Sequence, residues 1–252
     1  MIAIASALAG PMLLTALAMI AMILPGRGRA TWSATFAAAV AITALAFWSW
    51  LALTVAGTAA GLAAALAVLG GAADWEWRGA FPVAGEALHL RLDGLSALFL
   101  ALLCVVGGLG AVYSREYWSD RHHSDSAPGG RLWWDAMVLA MGCVLLVSNG
   151  LHFLIAWELF VVGSFFLVTL DRGKSEVRAS GWLYFAASHV GTLFLFAFFV
   201  TLTIRTGSWD LGPMHGHPEL APLFWLALVG FSMKAGLFPL HIWLPSAHAN
   251  SP

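Results

Sequence analysis

Seven apolar stretches run through the chain, separated by short polar segments: residues 2–24, 31–71, 95–113, 134–149, 151–170, 179–204 and 221–240. A helix rises about 1.5 Å per residue, so about 20 apolar residues cross the roughly 30 Å hydrocarbon core of a bilayer. The pattern predicts an all-α, polytopic transmembrane helix bundle of about seven helices. The second stretch is long enough for one tilted helix or for two helices broken near Gly57 and Gly61. The first stretch has no basic segment before it and exceeds the apolar core of a signal peptide, so it reads as a retained span.

Loop charge decides between one span and two at 31–71. With one span, the loops after odd-numbered helices carry Arg27, Arg29, Arg115, Arg121, Arg131, Arg172, Lys174 and Arg178, and the opposite side carries Arg78, Arg91 and Arg205. With two spans the asymmetry disappears. Cytoplasmic loops are enriched in Lys and Arg, so the pattern predicts seven helices with the N-terminus outside. Only Gly150 and its neighbours separate the fourth and fifth spans, which predicts a tight antiparallel hairpin there.

Composition agrees with an integral, multi-pass membrane protein. Hydrophobic residues make up 60% of the chain and charged residues 10%, against about 25% charged in soluble domains. The net charge of -1, without a basic block, argues against nucleic acid as a partner and leaves the lipid bilayer as the main surroundings. Cys104 and Cys143 lie inside apolar runs without metal-ligand spacing and read as small buried hydrophobes. The polar segment 119–130, with His122, His123, Asp125 and Pro128, reads as a solvated loop rather than a metal site.

Against this background two charges stand out. Glu158 follows Trp157 deep in the fifth span, and Lys234 lies deep in the seventh. An ionisable side chain at mid-depth costs roughly 2.5–3.5 kcal/mol on insertion scales, so such residues face a bundle interior and pair or relay protons. Opposite charges in low dielectric hold each other in the charged form, so a Glu158–Lys234 pair would act as a protonation switch. The alternatives are a helix-locking hydrogen bond for the glutamate and a snorkelling lysine. Pro239 cannot continue the lysine's helix, and with Gly236 it predicts a break at membrane depth, as ion pathways use. His189, central in the sixth span, is a proton-passing candidate or a hydroxyl-bonded core histidine. His241 and His248 share a face if the helix resumes after Pro239, and border a proton route or the interface.

These residues carry a resemblance. Leu92-Asp93-Gly94-Leu95-Ser96, Trp157-Glu158, Arg172-Gly173-Lys174-Ser175-Glu176, Ser188-His189-Val190-Gly191-Thr192 and above all the stretch from Lys234 through Pro239, His241 and Pro245 to His248 resemble the antiporter-like subunits shared by complex I, Mrp sodium/proton antiporters and membrane-bound hydrogenases. The likeness runs from about residue 90 to 252. His189 and the Arg172 loop look most like the hydrogenase-4 component B and formate hydrogenlyase branch. In the complex I branch an arginine usually stands at the place of His189 and an acid at that of Thr192.

The resemblance implies a proton-translocating membrane subunit of a redox-driven complex, partnered by other membrane subunits, with no redox site or cofactor of its own. It implies Glu158 and Lys234 as the coupled pair, with His189, His241 and His248 along the proton route, and cation/proton antiport as the alternative. It further implies an N-terminal part, with residues 1–90 forming two helices and an outer loop, and 91–252 opening the channel domain before an eighth helix. A haem-carrying subunit is a different class, and His152, His189 and His241 do not form ligand pairs at one depth.

Overall fold

The computed structural model describes residues 32–212 and 217–252, so the expected first span, 2–24, lies outside the described residues. These residues divide into two compact units: one reaches Trp75 and adds Leu92–Gly142, and the other joins Glu76–Arg91 to Cys143–Pro252.

The first unit is built from α1 (Trp32–Leu69), α2 (Gly94–Tyr117) and most of α3 (Ala127–Leu146). α1 is continuous over 38 residues, so the ambiguous stretch 31–71 is one helix. Its threonines do not interrupt it, because Thr58 Oγ1 returns its proton to Thr54 O at 2.9 Å. Asp93 caps α2 by accepting from Ser96 N at 2.9 Å, which gives the Leu92-Asp93-Gly94 motif a physical role as a helix start. α3 begins at Ala127 rather than 134, with Pro128 in its first turn, where a missing N–H costs nothing.

That early start places Asp135 well inside the helix. Asp135 is fully buried and accepts from Trp50 Nε1 at 2.8 Å and from Thr54 Oγ1 at 3.1 Å. One turn earlier Arg131 makes a two-pronged contact with Asp120, both N···O distances 3.0 Å, and lies over the Trp50 ring.

The second unit holds a β-hairpin, α4 (Gly150–Val168), α5 (Ser175–Thr206), a 3₁₀ turn at Pro218–Leu220, α6 (Leu223–Ala235) and α7 (Leu244–Asn250). The hairpin, β1 (Trp75–Val83) with β2 (Glu86–Leu92), occupies what the sequence reads as a plain outer loop. Ala84 and Gly85 both take positive φ at its two-residue turn, the primed geometry that matches strand twist. The strands extend into a small ladder, with Ser148 N donating to His89 O, Leu211 N to Ser148 O and Gly150 N to Trp209 O. Asn149 then caps α4 through Leu151 N and His152 N.

The core of this unit runs along α4, α5 and α6 through Trp157, Val161, Tyr184, Leu195, Phe199 and Met233. Residues Trp50–Leu69, α2, α3, α4 and α5 are each long and apolar enough to cross a membrane, so the protein is a multi-pass membrane protein. α6 spans only 13 residues. The seventh apolar stretch therefore breaks, at Gly236 with φ 69°, and helix resumes only at Leu244. Leu237 N returns to Ser232 O at 3.1 Å, so the break is a hydrogen-bonded helix end.

Candidate functional site

Glu158 lies eight residues beyond the first residue of α4, about 12 Å along the axis at standard rise, too deep for its short side chain to reach water from the helix end. Its Oε2 is 3.2 Å from His189 Nε2 on α5. Its Oε1 is buried and makes no hydrogen bond. His189 Nδ1 lies 2.9 Å from Phe185 O, one turn back on the same helix. A carbonyl only accepts, so Nδ1 carries a proton, and Nε2 faces the carboxyl group. Glu158 and His189 thus face each other at ion-pair distance from two neighbouring helices.

Lys234 occupies the last turn of α6, where a cation complements the helix dipole. Its ammonium donates to Tyr184 Oη on α5 and lies 4.0 Å from the Phe160 ring centre and 4.6 Å from that of Tyr184. Aromatic faces and a phenol oxygen thus form its immediate surroundings. No ion pair joins Glu158 to Lys234 among the described residues. The two remain electrostatically coupled. The physical reason is that α5 contributes a partner to each, His189 to one and Tyr184 to the other.

Close packing makes this possible. A Cβ on Gly191 of α5 would stand 2.8 Å from Met233 Cβ and 3.0 Å from Gly230 O, so only glycine lets α6 approach here. Beyond the break, Trp243 Nε1 donates to Met233 O at 2.7 Å, and its ring meets Tyr184 edge-on at 5.2 Å. The indole supplies a donor to a carbonyl in the last turn of α6 while bracing the tyrosine.

The remaining expected residues lie apart. His241 sits in the segment between α6 and α7, its Nδ1 buried and without a partner, and its ring is 5.5 Å from Phe238. His248 is exposed on α7. Because helix resumes at Leu244, the two do not share one helical face. No hydrogen bond or ion pair links either to Glu158, His189 or Lys234 among the described residues. Pro239 and Gly236 both fall in the interhelical segment.

A second polar group gathers at the ladder beside the hairpin. His89, almost fully buried, places Nε2 2.8 Å from Glu76 Oε1 and Nδ1 3.3 Å from Asp210 Oδ1. Arg78 Nη1 is 2.7 Å from Asp210 Oδ2. Partial burial alone would push the Asp210 carboxyl up, but hydrogen bonds from Arg78 and His89 outweigh it and hold the group below its ordinary value. This network clamps the hairpin to the segment after α5.

Residues 148–252 match the family described as NADH:quinone oxidoreductase/Mrp antiporter, TM. Over 169 residues the chain is 31% identical to hydrogenase-4 component B of Escherichia coli, covering 66% of this chain and 25% of that protein. Over a further 169-residue alignment it is 30% identical to a putative antiporter subunit, mnhA2, of Staphylococcus aureus, covering 64% of this chain and 21% of the relative. The chain thus spans about a quarter of the length of the curated relatives it matches. In fold it is similar to a chain in the membrane-bound sulfane sulfur reductase, an archaeal respiratory membrane complex, with a TM-score of 0.68 and 22% identity over 97% of this chain and 36% of the other.

Proposed function

Because the chain belongs to the antiporter-like family of membrane subunits, we propose that it translocates protons as part of a redox-driven membrane complex, with Glu158 and Lys234 as its proton-bearing pair. The observation that carries this reading is the sharing of α5: His189 faces Glu158 and Tyr184 faces Lys234 within one span. Each group has a neighbour that can take up or give back a proton, and the two are not locked in an ion pair with each other. Glu158 and His189 can pass a proton between them, and Lys234 can carry a second; charges at the two places act on each other through low dielectric. Such coupling lets proton movement at one site drive movement at the other, and the driving force comes from partner membrane subunits.

Similarity to hydrogenase-4 component B supports a membrane-bound hydrogenase or related oxidoreductase as the assembly, in the inner membrane of the cell. His241, beside the break, and His248 are proposed to border the connecting route. Similarity to the putative antiporter subunit favours a second reading, exchange of a cation such as sodium against protons. In the full-length protein, in vesicles of the native membrane, Glu158→Gln and Lys234→Met are expected to abolish proton translocation with the complex still assembled. Wild-type translocation by either variant would end the proposal. Translocation that requires sodium would select the antiporter reading.

A further inference from the structure

Hydroxyl groups recur at every fourth position of α5, at Ser180, Tyr184, Ser188 and Thr192. That spacing stacks side chains on successive turns of one side, about 6 Å apart along the axis. The first three are buried, in a helix that exposes Trp182, Leu193 and Phe196 elsewhere. A hydroxyl buried in a bilayer is unfavourable unless it is hydrogen-bonded, and alanine would pack as well in any core that needed only volume. A row of such groups beside an ionisable lysine therefore calls for a role.

The row is closed at one end by α7. Ser180 Oγ lies 2.7 Å from Ser246 Oγ, accepts from Asn250 Nδ2 at 3.0 Å and donates to Glu176 O at 2.8 Å. Since the Ser180 proton is committed to the Glu176 carbonyl, Ser246 is the donor of that pair. Midway, Tyr184 Oη accepts from Lys234 and directs its own proton toward Val161 O at a long 3.4 Å. One turn further, Ser188 Oγ is buried and makes no hydrogen bond.

We infer that this hydroxyl row, from Ser246 and Ser180 to Tyr184, carries protons to Lys234 from the membrane side on which α5 begins, with Tyr184 as the immediate donor. The inference rests on the proposed translocation and names the path that supplies it. While Lys234 is charged, its N–H occupies Tyr184 Oη. Once Lys234 has passed its proton on, its nitrogen lone pair accepts. The Tyr184 hydroxyl, weakly held at Val161, turns to it, and the O–H bond breaks as the N–H bond forms. Oη regains a proton from a neighbouring hydroxyl or hydrating water, replenished in turn by hydronium of the aqueous phase. Tyr184 ends unchanged, and one proton has entered.

The test uses the full-length protein in native-membrane vesicles and reads proton translocation, its solvent deuterium isotope effect and subunit content. Tyr184→Phe keeps the ring against Trp243 and removes only the hydroxyl. It is expected to slow translocation by about tenfold or more and to enlarge the isotope effect, with assembly intact. Ser180→Ala is expected to slow it several-fold, and Ser180→Thr, which restores a hydroxyl, to recover it. Wild-type rates and isotope effects in Tyr184→Phe and Ser180→Ala, with Lys234→Met still inactive, would overturn the row and leave the Glu158 and Lys234 reading standing. An active Lys234→Met would remove that reading itself. If Tyr184→Phe does not assemble, Ser180→Ala against Ser180→Thr decides, and equal rates overturn the inference.

Discussion

His189 holds Nε2 3.2 Å from Glu158 Oε2 while its Nδ1 stands 2.9 Å from Phe185 O. The carbonyl fixes which nitrogen carries the permanent proton, and so orients the other toward the carboxyl group. A glutamine at this place can donate to Glu158 but can hold no extra proton. His189→Gln is therefore expected to lower translocation by about tenfold or more, equivalent to about 1.4 kcal/mol in the limiting step, without loss of assembly. Rates measured in native-membrane vesicles check this, and a glutamine variant as fast as the parent would show that the histidine only packs.

The approach of α6 to α5 at Gly191 and Gly230 sets the distance from Lys234 to Tyr184. A methyl group on Gly191 would meet Met233 Cβ at 2.8 Å and the Gly230 carbonyl at 3.0 Å, and backbone cannot yield as a flexible side chain can. Gly191→Ala is expected to destabilise the protein by about 1–3 kcal/mol, as overpacking does, and to slow translocation further by displacing the lysine. Thermal melting of the purified protein in detergent reads the first effect. An alanine variant with unchanged melting would mean that the two helices are not held this closely.

The long helices and the two mid-span charges were legible in the sequence because an ionisable group in an apolar run is conspicuous. Partners were not. Tyr184 bears no charge and reads as one more core aromatic, and only its place in a four-residue series of hydroxyls sets it apart. Which group stands next to each charge was not legible, because depth along two helices says nothing of their rotation, and α5 supplies a neighbour to each. The β-hairpin carried its own signal, the alternation Trp75-Glu76-Trp77-Arg78 and a turn at Ala84-Gly85, in a segment too short to compete with helix-length windows. Asp135 was hidden by a boundary: the apolar stretch opens at Trp134, whereas Pro128 in the first turn is the better mark of where α3 begins.

At the ladder beside the hairpin, Asp210 binds its proton less readily in the folded protein than its ordinary value of 3.8 implies, because Arg78 and His89 donate to the carboxylate. A group depressed in this way adds stability that is complete above the ordinary value and vanishes as pH falls through the folded one. The difference in melting temperature between the parent and Asp210→Asn is accordingly expected to shrink as pH falls from about 5 to about 2. A difference that stays constant across that range would show that Arg78 and His89 do not stabilise the charged carboxylate.

Asp135 offers the sharpest separation of shape from hydrogen bonding in the first unit. The side chain is fully buried and accepts from Trp50 Nε1 and Thr54 Oγ1, tying α3 to α1. Asp135→Ala would strand both donors away from water and leave a void the size of a carboxylate, a combined loss of about 2–4 kcal/mol. Asp135→Asn keeps one carbonyl oxygen for the indole and can donate one N–H to Thr54 Oγ1, but its second N–H has no acceptor there, so an intermediate loss of about 1–2 kcal/mol is expected. The double variant Asp135→Leu with Thr54→Val removes the carboxyl group and one donor together, and is expected to recover part of the alanine loss because fewer polar groups remain stranded. Melting of the purified proteins ranks the three. If Asp135→Ala melts with the parent, the aspartate is not what joins the two helices.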